Sequence, residues 1–241
     1  MTTPLAVRVD AALTDLYARA GIARPSERRP IAPVAALLGS HNLVCLEVPS
    51  LTSRAALQLL SRRGGLVDPP PAERENEPLA GYLFATPGHG TIFVCQDDLI
   101  ERRRFSVAHE LGHYLLHFWR LLNPTDPDDE PALFRAIDAF TMSQAESNLP
   151  NAQDTATSSD PADPLPPLAT MEREANAFAA ELLMPADLVR QLAADYGPRC
   201  KEGDLVWAVA TRMLVSPKAM NVRLDNLDLL GTQGDEREAR G

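Results

Sequence analysis

Apolar residues recur at intervals of three and four along most of this 241-residue chain, which is the period of an amphipathic helix. Several of these stretches end at a glycine, as at Gly21 and Gly39, and this places the ends of the helices. Two shorter runs rich in Val, Ile, Phe and Tyr flank the turn PGHG and predict a β-hairpin. The pattern predicts helices at 5–21, 30–39, 51–65, 98–122, 171–184, 186–197 and twice within 204–230, with strands at 42–48, 81–86 and 91–95.

Two stretches follow neither period. Residues 123–169 are rich in Pro, Asp, Ser and Thr, which predicts a long, mostly flexible insertion. Residues 231–241 are polar and are expected to form a disordered tail. The remainder, 1–230, is expected to be a single domain of the α+β class. It would be mostly helical, with a small antiparallel sheet packed on the helix at 98–122.

Composition and charge narrow the function classes. A net charge of −10 argues against non-specific binding of nucleic acid. Three cysteines without CxxC spacing argue against a disulfide framework and favour a reducing compartment. The N-terminus has no basic flank followed by an apolar run, and no stretch is apolar over the roughly 18 residues of a membrane helix. We therefore expect a cytoplasmic protein that has no membrane partner.

The segment HELGH at 109–113 matches H-E-x-x-H. His109 and His113 lie one helical turn apart on one face, so both imidazoles can bind one ion. Glu110 is placed to act as general base rather than as a ligand. The surrounding helix is apolar almost all round, which is typical of a buried helix. Buried polar groups are costly unless they are satisfied, and a metal ion would satisfy these.

His117 extends the row of histidines, but it lies roughly 12 Å from His109 along the helix axis. One ion with bonds of about 2.1 Å is not expected to hold both ends, so His117 is expected to support the site or to pack beside it.

A carboxylate from the helix at 171–184 would then complete a His₂Glu set. Glu172 borders the apolar arc of that helix most closely, whereas Glu174 and Glu181 lie on its other flank. Asn176 follows Glu172 by one turn and is expected to hydrogen-bond a ligand. The alternative for Glu172 is a solvated acidic helix start, favoured by the helix dipole.

The segments RRRFSVAHELGHYLLH and EREANAFAAELLMP, with the hairpin before them, resemble the ImmA/IrrE family of bacterial metallo-endopeptidases over about residues 30–230. The resemblance implies a zincin-like fold, with His109, His113 and Glu172 as zinc ligands and Glu110 as the general base. Mn²⁺ or Fe²⁺ could replace Zn²⁺ in vivo. Members of the family cleave helix-turn-helix repressors and so release stress-response or mobile-element genes. The implied partner is such a repressor.

The expected reaction is hydrolysis of a peptide bond by a zinc-activated water, with Glu110 carrying the proton to the leaving amine. A substrate peptide is expected to add to the edge of the strand at 91–95. Tyr82 and His89 are candidates for the donor that stabilises the transition state, against the ordinary alternatives of a core tyrosine and a loop histidine.

Two other functions compete with proteolysis. A DNA-binding regulator is suggested by the helix pair in 204–230, whose second helix carries Lys218 and Arg223. Asp225 and Asp228 on the same helix and the negative net charge argue against it. The second alternative is a metal-holding interaction module that does not cleave, and the presence of Glu110 argues against that.

Overall fold

The computed structural model describes residues 3–62, 76–124, 135–139 and 165–230. The contacts within the chain define two compact units. The first comprises Met1–Arg24 and Pro33–Leu182, and the second comprises Pro25–Ala32 and Leu183–Gly241. The single domain expected for 1–230 stays a prediction.

The first unit contains the hairpin and the helix that carries HELGH. Its first helix, Leu5–Ala20, ends at Gly21, which has the left-handed conformation with φ 63° and which the sequence predicts as a helix end. The elements in chain order are α1 (Leu5–Ala20), α2 (Val34–Gly39), β1 (Leu43–Val48), α3 (Ser53–Arg62), β2 (Gly81–Thr86), β3 (His89–Cys95), α4 (Ile100–His113), a π-helical turn (Tyr114–Phe118), α5 (Trp119–Leu122), β4 (Arg135–Ala139) and α6 (Leu168–Leu183).

In the described part of the chain, the sheet has four strands in the order β1-β3-β2-β4. The hairpin of β2 and β3 is antiparallel, and β4 pairs antiparallel with β2. The mostly helical α+β class is confirmed, but strand β1 pairs parallel with β3, so the small sheet is mixed rather than antiparallel. The chain passes through α3 and β2 after β1, and this connection brings β3 back in the direction of β1.

The strand order also corrects the expected place of substrate binding. Strand β3 has a neighbour on each side, so it offers no edge to which a peptide could add. Within the described sheet the edges are β1 and β4. The hairpin itself is where the sequence predicts it, because its turn and its β-branched and aromatic residues act locally.

The two faces of β2 have different neighbours. Tyr82 and Phe84 lie in an apolar cluster with residues of β1, α3 and β3. Side chains alternate along a strand, so Gly81 and Leu83 point to the opposite face. There Gly81 approaches a side chain of α4, which also contacts β3. The sheet therefore lies between α3 and the helix that carries the histidines.

The region predicted as an insertion contains described structure at both ends. Strand β4 lies within 123–169, and α6 begins at Leu168 rather than near 171. The rest of the predicted insertion, at 125–134 and 140–164, lies outside the described residues, as do 63–75 and the predicted tail at 231–241.

The described residues of the second unit form three α-helices, α7 (Ala186–Tyr196), α8 (Glu202–Met213) and α9 (Pro217–Asn226), with a 3₁₀ turn at Gly197–Arg199 after α7. Ser216 caps α9, and its hydroxyl accepts from the Ala219 N–H at 3.1 Å. On α9, Arg223 donates from Nε to the Met184 carbonyl at 3.0 Å. One of the two cations that suggest DNA binding is thus engaged within the unit. Across the part of the chain that the structure describes, no helix is both long and apolar enough to cross a membrane.

Candidate metal centre

Helix α4 carries the H-E-x-x-H residues in its last turns, where it is buried. His109 is 4% exposed, and Glu110 and His113 are fully buried. The helix keeps its polar side chains inside because apolar residues surround them, among them Ala108, Leu111 and Tyr114, which are fully buried. Polar groups in such a place require partners, and α6 supplies partners for both His109 and His113.

Gly112 allows α6 to approach α4 closely. A Cβ at Gly112 would lie 3.1 Å from the Ala175 Cα and 3.1 Å from the Phe178 Cδ1. The two helices are therefore packed almost backbone to backbone, which only a residue without a side chain permits. This close packing is what brings the side chain of Glu172 to the histidines.

Three side chains, those of His109, His113 and Glu172, form a triangle in which the carboxylate presents a different oxygen to each imidazole. The Nε2 atoms of His109 and His113 are 3.0 Å apart. Glu172 places Oε2 3.2 Å from the His109 Nε2 and Oε1 3.2 Å from the His113 Nε2. A tetrahedral ion with bonds of about 2.1 Å requires ligand atoms roughly 3.4 Å apart. The three residues thus fit a divalent ion, and the donor set of two imidazoles and one carboxylate suits zinc.

The electrostatics of the triangle favour a cation. Burial alone would raise the pKa of Glu172, but the two imidazoles of His109 and His113, each 3.2 Å from one of its oxygens, outweigh burial and hold that pKa well below its usual range. Burial lowers the pKa of His113 to about 4, against the opposing effect of Glu172. At neutral pH the site therefore holds an ionised carboxylate and a neutral His113, and these are the forms that bind metal.

The carboxylate of Glu110 lies beneath the start of β2. A Cβ on Gly81 would lie 2.5 Å from the Glu110 Oε1 and 3.2 Å from its Cδ and Cγ. Because Gly81 has no side chain, the Glu110 carboxylate can occupy the space where a Cβ would otherwise lie. Neither Gly81 nor Gly112 entered the sequence-based set of site residues, although a glycine inside an apolar helix is a recognised sign of close helix packing.

Each histidine of the row has a different partner. Asn176 Oδ1 lies 2.9 Å from the His109 Nδ1 and can accept a hydrogen bond from it. His117 Nδ1 lies 3.3 Å from the His113 Nδ1, and His117 Nε2 lies 3.0 Å from the Glu174 Oε2. The structure therefore places both Asn176 and His117 against a histidine of the triangle, where the sequence predicted a supporting residue.

Glu174 also binds Arg8 of helix α1. The guanidinium donates to both carboxylate oxygens, at 2.8 and 2.7 Å, and this side chain of Glu174 is 9% exposed. Burial would raise the pKa of Glu174, but the hydrogen bonds of Arg8 and His117 outweigh it and lower the pKa. Sequence reasoning missed Arg8 altogether, since 166 residues separate it from Glu174 and no local pattern links them.

The two candidates for a transition-state donor lie elsewhere on the hairpin. Tyr82 is buried, and its ring packs edge-on against Phe93 with centroids 6.1 Å apart. His89 is exposed and lies 3.0 Å from the Thr86 hydroxyl, at the end of the hairpin opposite Gly81. Thr86 lies five positions after Gly81 along the strand, a span of roughly 17 Å. Tyr82 is thus a core tyrosine, whereas His89 is the exposed first residue of strand β3, beside the turn.

Comparison with known proteins adds one finding. The family model Peptidase_M78, described as the IrrE N-terminal-like domain, matches residues 71–153 and 154–225, more than half of the chain. The match includes the helix with HELGH and the helix with Glu172, and it begins after α1. No curated protein matches the chain.

Proposed function

Because this chain belongs to the Peptidase_M78 family of IrrE N-terminal-like domains, we propose that it is a zinc-dependent endopeptidase that hydrolyses a peptide bond in a protein substrate. The observation that carries the proposal is the triangle of His109, His113 and Glu172, with Glu110 on the same helix. A family of peptidases and a donor set of this type together support metal-assisted hydrolysis.

In the proposed mechanism His109, His113 and Glu172 would hold the ion through two imidazoles and one carboxylate. Zinc bound there supplies Lewis acidity toward the scissile carbonyl and lowers the pKa of water toward neutrality. Mn²⁺ or Fe²⁺ would serve with the same ligands. Glu172 is the most exposed of the three, with 31% of its side chain accessible, so substrate is expected to approach from its side.

Glu110 is the proposed general base and acid. Its carboxylate accepts a proton as the attacking water adds to the carbonyl carbon and delivers that proton to the departing amine. Asn176 holds the His109 imidazole by accepting from Nδ1, which directs the lone pair of Nε2 into the triangle. Burial of the base against Gly81 fixes the position of its carboxylate.

The proposed substrate is a helix-turn-helix repressor, and its cleavage would relieve repression in a stress or mobile-element response. Two observations support this substrate class. The paired motifs resemble the ImmA/IrrE endopeptidases, and a net charge of −10 suits a basic, DNA-binding partner. We also propose a cytoplasmic location, because three cysteines without CxxC spacing suit a reducing compartment.

The test begins with purified protein, metal analysis and incubation with helix-turn-helix regulators encoded near it. Wild type should contain about one zinc per chain and cut one regulator at a defined bond. Glu110→Gln should keep the zinc and lose cleavage, whereas Glu172→Ala should lose the zinc. Glu181→Gln, a charge change on the same helix α6, is the matched control and should keep both.

Two results would count against the proposal. Equal behaviour of wild type and Glu110→Gln, with no regulator cut, would show that the chain does not act as this protease. Tight, salt-sensitive binding of the wild-type chain to DNA in a gel-shift assay would favour the regulator alternative instead.

A further inference from the structure

Four side chains form an unbroken series of polar contacts from helix α1 to the proposed metal site. Arg8 binds both oxygens of Glu174, Glu174 Oε2 lies 3.0 Å from the His117 Nε2, and His117 Nδ1 lies 3.3 Å from the His113 Nδ1. The three groups beyond Arg8 are buried, since Glu174 and His117 are 7% and 6% exposed and His113 is fully buried. The hydrogen bonds of such a series all follow from one another, because each ring nitrogen of a neutral histidine either donates or accepts.

The direction follows from Arg8. A guanidinium only donates, so both oxygens of Glu174 accept, and an ionised carboxylate has no proton to give. His117 must therefore donate from Nε2, and a neutral imidazole that donates from Nε2 accepts at Nδ1. His113 in turn must donate from Nδ1, so its Nε2 carries a lone pair. That lone pair points into the triangle with His109 and Glu172.

The opposite direction of hydrogen bonding would prevent His113 from binding a metal. A His113 protonated at Nε2 would aim an N–H at the triangle and could not bind a metal through that atom. Arg8 and Glu174 thus set the direction of hydrogen bonding in which the His113 Nε2 is free of a proton and can bind a metal.

The π-helical turn provides the local geometry. It begins at Tyr114, directly after His113, and contains His117. A π turn holds more residues per turn than an α-helix and so changes the direction of the side chains that follow it. In this structure His117 meets Glu174 through one nitrogen and His113 through the other.

We propose that Arg8, Glu174 and His117 are positioning residues that fix the tautomer and orientation of His113, and that helix α1 is thereby part of the metal centre. The inference rests on the proposed function, because it takes His113 as a metal ligand. It extends the site beyond the family match, which begins at residue 71, to an N-terminal helix that the match does not cover.

The test uses the full-length chain and three variants. Arg8→Gln removes the charge that sets the direction, and Glu174→Gln keeps the size but supplies an amide that can donate to His117. Arg24→Gln is the control, because it removes another arginine–carboxylate pair of α1, with the exposed Asp10. The dissociation constant for zinc is measured by competition with a chelator, and the tautomers of His113 and His117 are measured by ¹⁵N NMR on the metal-free protein.

Arg8→Gln and Glu174→Gln should each bind zinc about 10- to 100-fold more weakly, the usual effect of removing a group that orients a metal ligand. Arg24→Gln should bind as wild type does, and Arg8→Lys should recover part of the affinity. In metal-free wild type the protons should reside on the His113 Nδ1 and the His117 Nε2. In Arg8→Gln and Glu174→Gln the signals of His117 should shift toward the other tautomer.

Wild-type zinc affinity in both Arg8→Gln and Glu174→Gln would overturn the inference, as would a proton on the His113 Nε2 in metal-free wild type. If Glu174→Gln does not fold, Arg8→Gln decides the matter, because 35% of that side chain is exposed and its loss leaves the core intact. If wild type takes up no zinc, the proposed function is wrong, and the tautomers still decide whether the direction derived from Arg8 is correct.

Discussion

Replacing Gly81 by alanine should move the proposed general base without touching the proposed metal ligands. The added Cβ would lie 2.5 Å from the Glu110 Oε1, whereas ordinary contact begins at about 3.4 Å. The carboxylate must therefore move by about 0.9 Å. The three atoms nearest to that Cβ all belong to Glu110, so the displacement falls on this one side chain.

The size of the effect follows from that distance. Glu110 is fully buried, so its carboxylate has little room to find an equivalent position. A misplacement of about 1 Å at a reacting group can lower the rate about 100-fold. We expect kcat to fall about 100-fold in Gly81→Ala while the zinc affinity stays within about twofold of wild type. The free energy of unfolding should fall by about 1–3 kcal/mol from overpacking, partly offset by the lower chain entropy of alanine.

The assay is cleavage of the regulator cut by wild type, at saturating substrate and at equal zinc content. Gly90→Ala is the matched control, because its Cβ would lie 2.7 Å from the Leu43 Cδ2, in the neighbouring strand. It should lose stability by a similar amount and keep its kcat. Wild-type turnover in Gly81→Ala, or an equal loss of kcat in both variants, would refute the assignment of Glu110 as a positioned base.

Three further outcomes are expected. In Gly112→Ala the new Cβ would lie 3.1–3.2 Å from backbone atoms of Ala175, so α6 must shift by a few tenths of an ångström and zinc should bind about tenfold more weakly by chelator competition; unchanged affinity would contradict the role of close packing. In metal-free protein His113 has a pKa of about 4 against an ordinary 6.5, so below pH 6.5 the unfolded chain takes up a proton that the folded chain refuses. Stability to urea should therefore fall by up to roughly 3 kcal/mol between pH 6.5 and 4, and His113→Asn should flatten that part of the profile. Removal of zinc by a chelator should lower the unfolding free energy by about 3 kcal/mol at zinc concentrations near 100 times the Kd, seen as a lower Tm in calorimetry; a Tm that does not respond to zinc would show that the folded state does not bind it.

The features that local sequence determines were predictable. The spacing of His109 and His113 and the apolar residues around them predicted a buried helix, and α4 is one. The turn and flanking residues predicted the hairpin of β2 and β3. These features depend on residues within a few positions of one another, so the spacing of apolar residues along a helix or strand is enough to predict them.

The features that depend on distant pairing were not predictable. The parallel pairing of β1 with β3 makes β3 an inner strand, and strand order is not encoded in the alternation of any one strand. The contact of Arg8 with Glu174 joins helices at opposite ends of the first unit's sequence. The π turn after His113 breaks the 100° step on which the helical analysis depends, so the direction of His117 could not follow from it.

The two carboxylates of α6 show why equal residue types take different roles in this site. Glu174 accepts two hydrogen bonds from Arg8 and one from His117, so its charge is already balanced by a cation. Glu172 meets two imidazoles instead, and one of them, His113, is held neutral by burial. A metal ion gains more from a carboxylate whose charge is uncompensated than from one that an arginine already neutralises. The row of histidines divides accordingly, because His109 and His113 share Glu172, whereas His117 contacts the neutralised Glu174 and would affect a bound ion only through His113.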